Sequence, residues 1–222
     1  MDPVVITKAL VAADATAVCL SQGLAASGNL LINGDDATAG VATLDTQRRI
    51  GITSGGNDSG ITFTVYGTMG SGVAISETVT GTNAGVASPL QDFLTVTRVS
   101  ASGAVATTVT VGTTAVGSTA WQVPNRHITP FELSVMVDLT SGAATGTIEV
   151  AIDEVLAPIS IYSTGFNTAP PVPSPVAWPS LTNVVGAASG VINEPIAGWR
   201  LTVTAGSGTL KATGIQAGIS NH

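Results

Sequence analysis

Apolar and hydroxyl-bearing side chains alternate with a two-residue period along much of the chain, a pattern that an α-helix cannot sort onto separate faces. In residues 60–66 (GITFTVY), Ile61, Phe63 and Val65 alternate with two threonines and a tyrosine. Successive side chains of a β-strand point to opposite faces, so one face would be apolar and the other polar. Strong helix formers are also few and β-branched residues frequent. The sequence therefore predicts half-buried β-strands.

The same alternation predicts twelve further strands, separated by short segments rich in Gly, Asn, Asp and Ser. These strands are expected at residues 4–7, 29–32, 48–53, 73–80, 93–99, 104–111, 131–139, 146–152, 159–162, 181–185, 198–204 and 209–217. Segments such as NGDD (33–36) and AGSG (205–208) supply the positive-φ positions of tight hairpins. Many short strands separated by such turns are typical of β-sandwiches.

The length of 222 residues is sufficient for two small β domains. We predict an all-β protein with two β-sandwich domains, immunoglobulin-like or jelly-roll-like, and an extended N-terminal segment. The boundary is expected near residues 123–126, which gives an arm with the first strands at 1–40, a first sandwich at 41–124 and a second at 125–222. Residues 169–175 (APPVPSP) contain four prolines and cannot form a central strand. They are predicted to form a loop of the second domain, either an arm that reaches a neighbour or a surface crossover.

Charged residues make up only 9% of the chain, against roughly 25% in an ordinary soluble domain. Outward-facing positions are instead filled largely by Thr, Ser, Ala and Gly. Such a surface costs little to desolvate, because it lacks the Lys and Glu side chains that lose much rotamer entropy and are depleted in interfaces. We therefore favour a chain that is packed in an assembly. The alternative is a monomer with a Thr- and Ser-rich face, as some secreted adhesins have.

The net charge of −7 and the distribution of the seven basic residues argue against binding to nucleic acid. Only Arg48 and Arg49 are adjacent, whereas phosphate binding needs a patch of Lys and Arg. No apolar run approaches the roughly 18–20 residues that span a bilayer. The longest candidate, residues 9–20, is interrupted by Asp14 and lacks a preceding basic cluster, so neither an anchor nor a signal peptide is predicted.

The single cysteine excludes an intrachain disulfide and leaves the cellular compartment open. Cys19 is predicted to be a small buried apolar residue. Trp121, Trp178 and Trp199 fall near predicted strand ends and proline-containing loops. They are expected to be anchors in a core or an interface rather than platforms for a sugar ring.

Groups suited to proton transfer or nucleophilic attack are scarce. His127 follows Arg126, whose charge disfavours a protonated imidazole, and His222 is the last residue. The Gly-x-Ser-x-Gly motif of hydrolases and the phosphate-binding P-loop are both missing. We therefore predict a non-enzymatic protein with no catalytic residue and no cofactor-binding residue.

Four of the fourteen acidic residues are adjacent in the sequence and form two pairs. These are Asp35–Asp36 and Asp153–Glu154. The first pair lies in a predicted turn, where Asp bonds to the backbone, and the second would point to opposite faces of a strand. A Ca²⁺ site with Asn57 and Asp58 as ligands is conceivable in the loop of residues 55–60. That loop lacks the several carboxylates of such sites, so an ordinary turn without metal is predicted.

Several segments resemble structural proteins of tailed bacteriophages. In the first half they are QRRIGITSGGNDSGITFTVYGT (47–68), SETVTGTNAG (76–85), DFLTVT (92–97) and TVTVGT (108–113). In the second half they are WPSL (178–181), GVINEP (190–195), RLTVT (200–204) and GTLKATGIQ (208–216). The resemblance covers most of residues 40–220. The family carries no catalytic residues to transfer, so the resemblance implies a location in the virion rather than a mechanism.

The resemblance implies a capsid decoration or cement protein on the exterior of the capsid. Its partners would be the major capsid protein or other virion proteins, and it would form homo-oligomers, with a trimer favoured. A tail or head–tail ring protein and a glycan-binding module for the host surface are the alternatives. The glycan-binding alternative predicts a cleft with exposed aromatic residues. In the assembled setting, residues 1–20 are expected to add a strand to the sheet edge of a neighbouring subunit.

Overall fold

The structure is a computed structural model that describes residues 3–126, 128–153 and 174–220. Within these ranges it contains fifteen β-strands, one turn of 3-10 helix and no α-helix. Each pair of strands with a described register is antiparallel. The strands belong to one sheet of nine strands and one of six. The predicted all-β fold class is therefore confirmed.

The chain divides into two compact units, which are described separately. The strands are, in chain order, β1 (Val4–Leu10), β2 (Cys19–Gln22), β3 (Gly28–Asn29), β4 (Ala37–Thr38), β5 (Val41–Ser54), β6 (Thr62–Thr68), β7 (Ala74–Thr80), β8 (Val86–Ala87), β9 (Asp92–Ala101), β10 (Val109–Thr113), β11 (Gly117–Ser118), β12 (Ile128–Ala151), β13 (Val176–Ala177), β14 (Ala188–Ile192) and β15 (Gly198–Ser220). The 3-10 turn is Pro179–Leu181. We call Val11–Gly117 the N-terminal unit, and Met1–Leu10 together with Ser118–His222 the C-terminal unit.

The sheet of the N-terminal unit has the strand order β2-β10-β5-β9-β6-β7; in addition, β3 pairs with β9, and β4 and β8 pair with β5. The long strand β5 changes partner along its length. Its residues Ala42–Arg49 pair with β9, and its residues Ile50–Ser54 pair with β10. The register with β9 shifts between Thr43 and Arg48, and such irregularities let a strand turn a corner between two packed layers. Side chains from both parts of β5 accordingly belong to one core cluster.

Two very long strands, β12 and β15, form the centre of the C-terminal unit. They pair from Ile128↔Ser220 to Ala151↔Gly198. The predicted strands 131–139 and 146–152 are two halves of β12, and 198–204 and 209–217 are two halves of β15. The alternation is interrupted between the halves because three glycines, Gly142, Gly206 and Gly208, have φ values of 74°, 81° and 153° there. Register shifts accompany them.

The pair of long strands doubles back on itself at these glycines. A Cβ atom built on Gly214 would lie 2.6 Å from Cζ2 of Trp199. In a straight strand, these two residues of β15 would be roughly 50 Å apart. Likewise, a Cβ atom on Gly146 would lie 2.6 Å from Leu210 Cδ1. The two halves of the strand pair therefore face each other across a single apolar core, to which Trp199 and Leu210 both belong.

The N-terminal segment differs from the predicted arm. Strand β1 pairs with β15 of its own chain, from Val4↔Gly214 to Leu10↔Gly208. Strand β2 instead pairs with β10 of the N-terminal unit. Residues 1–40 are therefore shared between the units, and the units separate at Gly117 and Ser118 rather than near residue 124. The reason is that β15 offers a free edge, and alternate residues of β1 pack on its core.

Three predicted strands are wrong in detail, and one lies outside the described residues. Of the predicted strand 29–32, only Asn29 belongs to a strand, as the second residue of β3. Residues 181–185 are not a strand, because Pro179–Leu181 form a 3-10 turn and Asn183 has a φ of 55°, which extended backbone excludes. Strand β10 begins only at Val109, after a loop that was included in the predicted strand 104–111. The predicted strand 159–162 and residues 169–173 of the proline-rich segment fall outside the described ranges.

Candidate interaction surface

The folded chain exposes even less positive charge than its composition indicates. Three of the seven basic residues, Lys8, Arg48 and Arg200, are at most 5% exposed. Meanwhile, fifteen large apolar side chains in the described part of the chain are exposed to solvent. Single exposed apolar residues are ordinary, whereas contiguous ones mark interaction sites. The question is therefore whether these exposed apolar side chains are neighbours on one face of a sheet.

Four neighbouring strands of the C-terminal unit, β1, β15, β12 and β14, carry apolar side chains on their outer face. One row across the sheet is Val5, Thr213, Met136 and Ser189, and the next is Ile215, Ser134 and Val191. Residues paired in adjacent rows of a sheet share a face. We call the surface formed by these seven residues the β12 face.

The β12 face is apolar at its centre and open to solvent. Val5, Met136, Val191 and Ile215 are 46–55% exposed. A shallow groove of about 360 Å³ runs between Met136, Val191 and Ile215, and serine and threonine residues line it as well. An apolar centre without charged groups resembles the middle of a protein interface in composition.

Charged residues border the β12 face at its two ends. Lys211 lies opposite Asp138 at one end, and Glu132 lies at the other end of the same stretch of β12. No salt bridge among the described residues involves Lys211 or Glu132. The border therefore carries a cation beside a carboxylate at one end and a second carboxylate at the opposite end.

The sequence contained a signal for the β12 face that the alternation analysis missed. Strand β12 contains three consecutive apolar residues, Val135, Met136 and Val137, and β1 begins with Val4, Val5 and Ile6. Consecutive apolar residues in a strand make both faces of the sheet apolar. Such runs therefore indicate an outer face that is suited to contact with another surface.

The outer face of β7, β6 and β9 in the N-terminal unit has a different composition. Its rows are Thr78–Thr64–Ser100 and Ser76–Tyr66–Arg98. The guanidinium of Arg98 lies 3.7 Å from the centroid of the Tyr66 ring, and the hydroxyl oxygens of Thr64 and Thr78 are 2.8 Å apart. We call this surface the hydroxyl face. It is polar but, apart from Arg98, uncharged.

Arg48 organises the polar interior of the N-terminal unit. Its side chain is 1% exposed, and Nη1 donates to Oδ1 of Asp45 at 3.1 Å. Nη2 donates to the carbonyl oxygens of Val11 and Thr114 at 3.1 and 2.8 Å. This one guanidinium thereby connects the segment before β2, strand β5 and the segment after β10. The role is structural, because all three acceptors belong to the fold.

The turn predicted at Asp35 and Asp36 is confirmed, and it lies near Arg48. Burial and the negative charge of Asp45 raise the pKa of Asp36, while Arg48 acts in the opposite direction. The pKa of Asp14 is lowered because its carboxylate accepts bonds from the backbone N–H and hydroxyl of Thr16. The pKa values of the two carboxyl groups shift in opposite directions, and the local structure explains each shift.

In the loop of residues 55–60, one oxygen of each candidate Ca²⁺ ligand accepts hydrogen bonds from protein groups, and Oδ2 of Asp58 is buried without a hydrogen-bond partner. Oδ1 of Asn57 accepts bonds from the N–H and hydroxyl of Ser59, whereas Oδ1 of the fully buried Asp58 accepts the N–H of Ala106 at 2.7 Å. Across the described residues, no three His, Cys, Asp or Glu side chains are grouped to hold a metal ion.

The cysteine, the tryptophans and the other residues that the sequence singles out either have structural positions or lie outside the described ranges. Cys19 is buried as predicted, and burial raises the pKa of its thiol to about 12. Oδ2 of Asp153 accepts the N–H of Ser174 at 2.8 Å. His127, Glu154 and His222 lie outside the described residues. The tryptophans are anchors: Trp199 is in the core, Trp178 packs against it, and Trp121 lies under Arg200 with 4.6 Å from ring centroid to guanidinium carbon.

Comparison of the chain with known protein families, with curated proteins and with solved structures finds no match in any of the three. None of the described elements is a helix long and apolar enough to cross a membrane.

Proposed function

We propose that the chain is a non-enzymatic structural subunit of a tailed-bacteriophage particle, most simply a decoration protein that bridges and stabilises the capsid lattice. Its partners would be copies of itself and the major capsid protein. The observation that carries the proposal is the β12 face, where four exposed apolar side chains on adjacent strands are surrounded by hydroxyl groups. A surface of this composition is suited to permanent contact with another protein.

The rest of the surface supports the same role. Three of the seven basic side chains are withdrawn from solvent, and the hydroxyl face offers hydrogen-bonding groups of low desolvation cost. Contact with a shell would gain about 25 cal/mol for each Å² of apolar area buried, before the cost of association. Because a capsid presents the same site many times, modest contacts add up through avidity. The resemblance to virion proteins supplies the setting.

The hydroxyl face favours a second candidate, a glycan-binding module for the host surface. A sugar ring could contact Tyr66, and a sugar carboxylate could pair with Arg98, beside the hydroxyl groups of Thr64, Thr78 and Ser100. We rank this candidate second because this face is a sheet surface without a described cleft.

The test is the number of copies of the chain in purified particles of the phage that encodes it, measured by quantitative mass spectrometry. A decoration protein is expected at hundreds of copies per particle, whereas an accessory ring would contain six or twelve. The matched control is a non-structural protein of the same phage, which should be removed by the purification. Absence of the chain from the particles would contradict the proposal.

A further inference from the structure

We propose that Leu90 is an anchor that inserts into a neutral, apolar pocket on a protein of the capsid shell. The inference rests on the proposed function, which supplies the shell as the partner. Leu90 lies in the loop between β8 and β9 and is 76% exposed, although Pro89 before it and Asp92 two residues after it are buried. The loop is therefore fixed at both ends, while one leucine side chain extends into solvent.

Two charged side chains hold the backbone on both sides of Leu90. Oε1 of Glu77 accepts the N–H of Leu90 at 2.7 Å, and Oε2 accepts the N–H of Gln91 at 2.8 Å. Nη2 of Arg49 donates to the carbonyl oxygen of Leu90 at 2.7 Å, and its Nε donates to Oδ1 of the buried Asp92 at 3.1 Å. Glu77 belongs to β7 and Arg49 to β5, so side chains from strands on both sides of β9 hold this loop.

The free protein gains little from this arrangement. Water would satisfy the same backbone groups, whereas long charged side chains lose rotamer freedom when they are ordered. The chain has only 7 basic and 14 acidic residues, and three of these hold the loop. What they fix in place is an apolar side chain in solvent. The benefit arises on binding, because a loop that is already ordered loses less entropy when a partner covers it.

The chemistry around Leu90 selects the kind of partner. The neighbouring charges are already bonded within the chain, Arg49 to Asp92 and a carbonyl group, and Glu77 to two N–H groups. A charged partner would gain no free ion there, which argues against nucleic acid and anionic lipid. A branched aliphatic side chain also offers a sugar neither a hydrogen bond nor a ring face. The fitting partner is an apolar protein pocket of about the size of one leucine side chain, and a shell repeats such a pocket many times.

Co-sedimentation of the purified full-length chain with capsids from a phage mutant that lacks its gene tests the anchor. Leu90→Ala is expected to weaken binding roughly tenfold or more, because most of a leucine side chain is no longer buried. Its thermal unfolding should match that of the wild type, because Leu90 is largely exposed in the free chain. Val185→Ala is the matched control. Val185 is 70% exposed outside the strands of the C-terminal unit, and its truncation should leave the affinity unchanged.

A double-mutant cycle tests whether Glu77 acts by positioning Leu90. In Glu77→Gln, one of the two acceptor oxygens is replaced by an NH₂ group, so the loop is held less firmly and binding should weaken several-fold. In the Leu90→Ala background the same substitution should have almost no effect, because no anchor is left to position. Equal losses in both backgrounds would overturn the proposal.

Other results would also overturn the anchor. These are a Leu90→Ala chain that binds capsids like the wild type, a wild type that does not bind them, and self-association of the free wild type that Leu90→Ala abolishes. The last result, measured by sedimentation velocity, would place the pocket on a second copy of the chain. None of these results would change the number of copies found in particles. The anchor can therefore fail while the proposed function stands, whereas absence of the chain from particles would remove both.

Discussion

Replacement of Trp199 by Ala is expected to lower the free energy of unfolding of the C-terminal unit by about 3–5 kcal/mol. Among the residues that the structure describes, Trp199 is the largest fully buried side chain, and it is 2% exposed. It lies between the two halves of the folded-back strand pair, against the backbone of Gly214. Truncation would therefore remove apolar contacts and leave a cavity where the halves meet. Unfolding by denaturant, followed by circular dichroism, measures the change.

A matched control and a compensating variant sharpen this prediction. Trp178→Ala should cost clearly less, because Trp178 is only partly buried at the margin of the same core. Gly214→Val alone should also destabilise the unit, by about 1–3 kcal/mol, because its side chain would collide with the Trp199 ring. In the Trp199→Ala background, the same substitution should be nearly neutral or favourable, since it fills the cavity. Additive effects of the two substitutions would contradict the folded-back arrangement of β12 and β15.

Replacement of Arg48 by Met is expected to destabilise the N-terminal unit by about 3–5 kcal/mol, as does the removal of one member of other buried ion pairs. The substitution keeps much of the side-chain volume. However, it leaves the carbonyl groups of Val11 and Thr114 without their donor and Asp45 without its cation. Arg98→Met is the matched control: Arg98 is exposed and stacks on Tyr66, so its loss should cost less than about 1 kcal/mol.

The loss caused by Arg48→Met should depend on pH. Because the pKa of Asp36 is raised in the folded state, its ionised form opposes folding, and that cost disappears as the pH falls through the folded pKa. Arg48 limits this cost at neutral pH, and without it the pKa of Asp36 would rise further. The destabilisation by Arg48→Met should therefore be larger near pH 7 than near pH 4. Combining it with Asp36→Asn should reduce the difference. An equal loss at both pH values would show that Arg48 acts only through its bonds to the backbone.

Strands and their apolar faces could be predicted from the sequence wherever the alternation is unbroken. Strand β6 alternates as predicted, with Phe63 and Val65 buried and Thr64 between them partly exposed. Strand β7 begins one residue later than predicted and ends where expected. In both strands, local composition and tertiary packing favour the same conformation, so the two-residue period alone identifies them.

Long-range pairing could not be predicted, because the sequence does not show which strand edge is free. The pairing of β1 with β15 depends on an edge that exists only after the strand pair of β12 and β15 has folded back. The continuity of β12 could not be predicted either, because a glycine such as Gly142 is typical of a turn, whereas here it lies at a bend within the strand. The buried position of Arg48 was also unexpected, since it depends on three acceptors from distant segments.

The central claim is that this weakly charged exterior is covered by other subunits in the working assembly. Hydroxyl-radical footprinting of the dilute free chain and of the chain in purified particles tests it most directly, with the oxidation rates of Met136, Val191 and Ile215 as the readout. In the free chain these side chains are about half exposed and should react readily. The account predicts that their oxidation slows several-fold in the particle. Equal rates in both samples would contradict it.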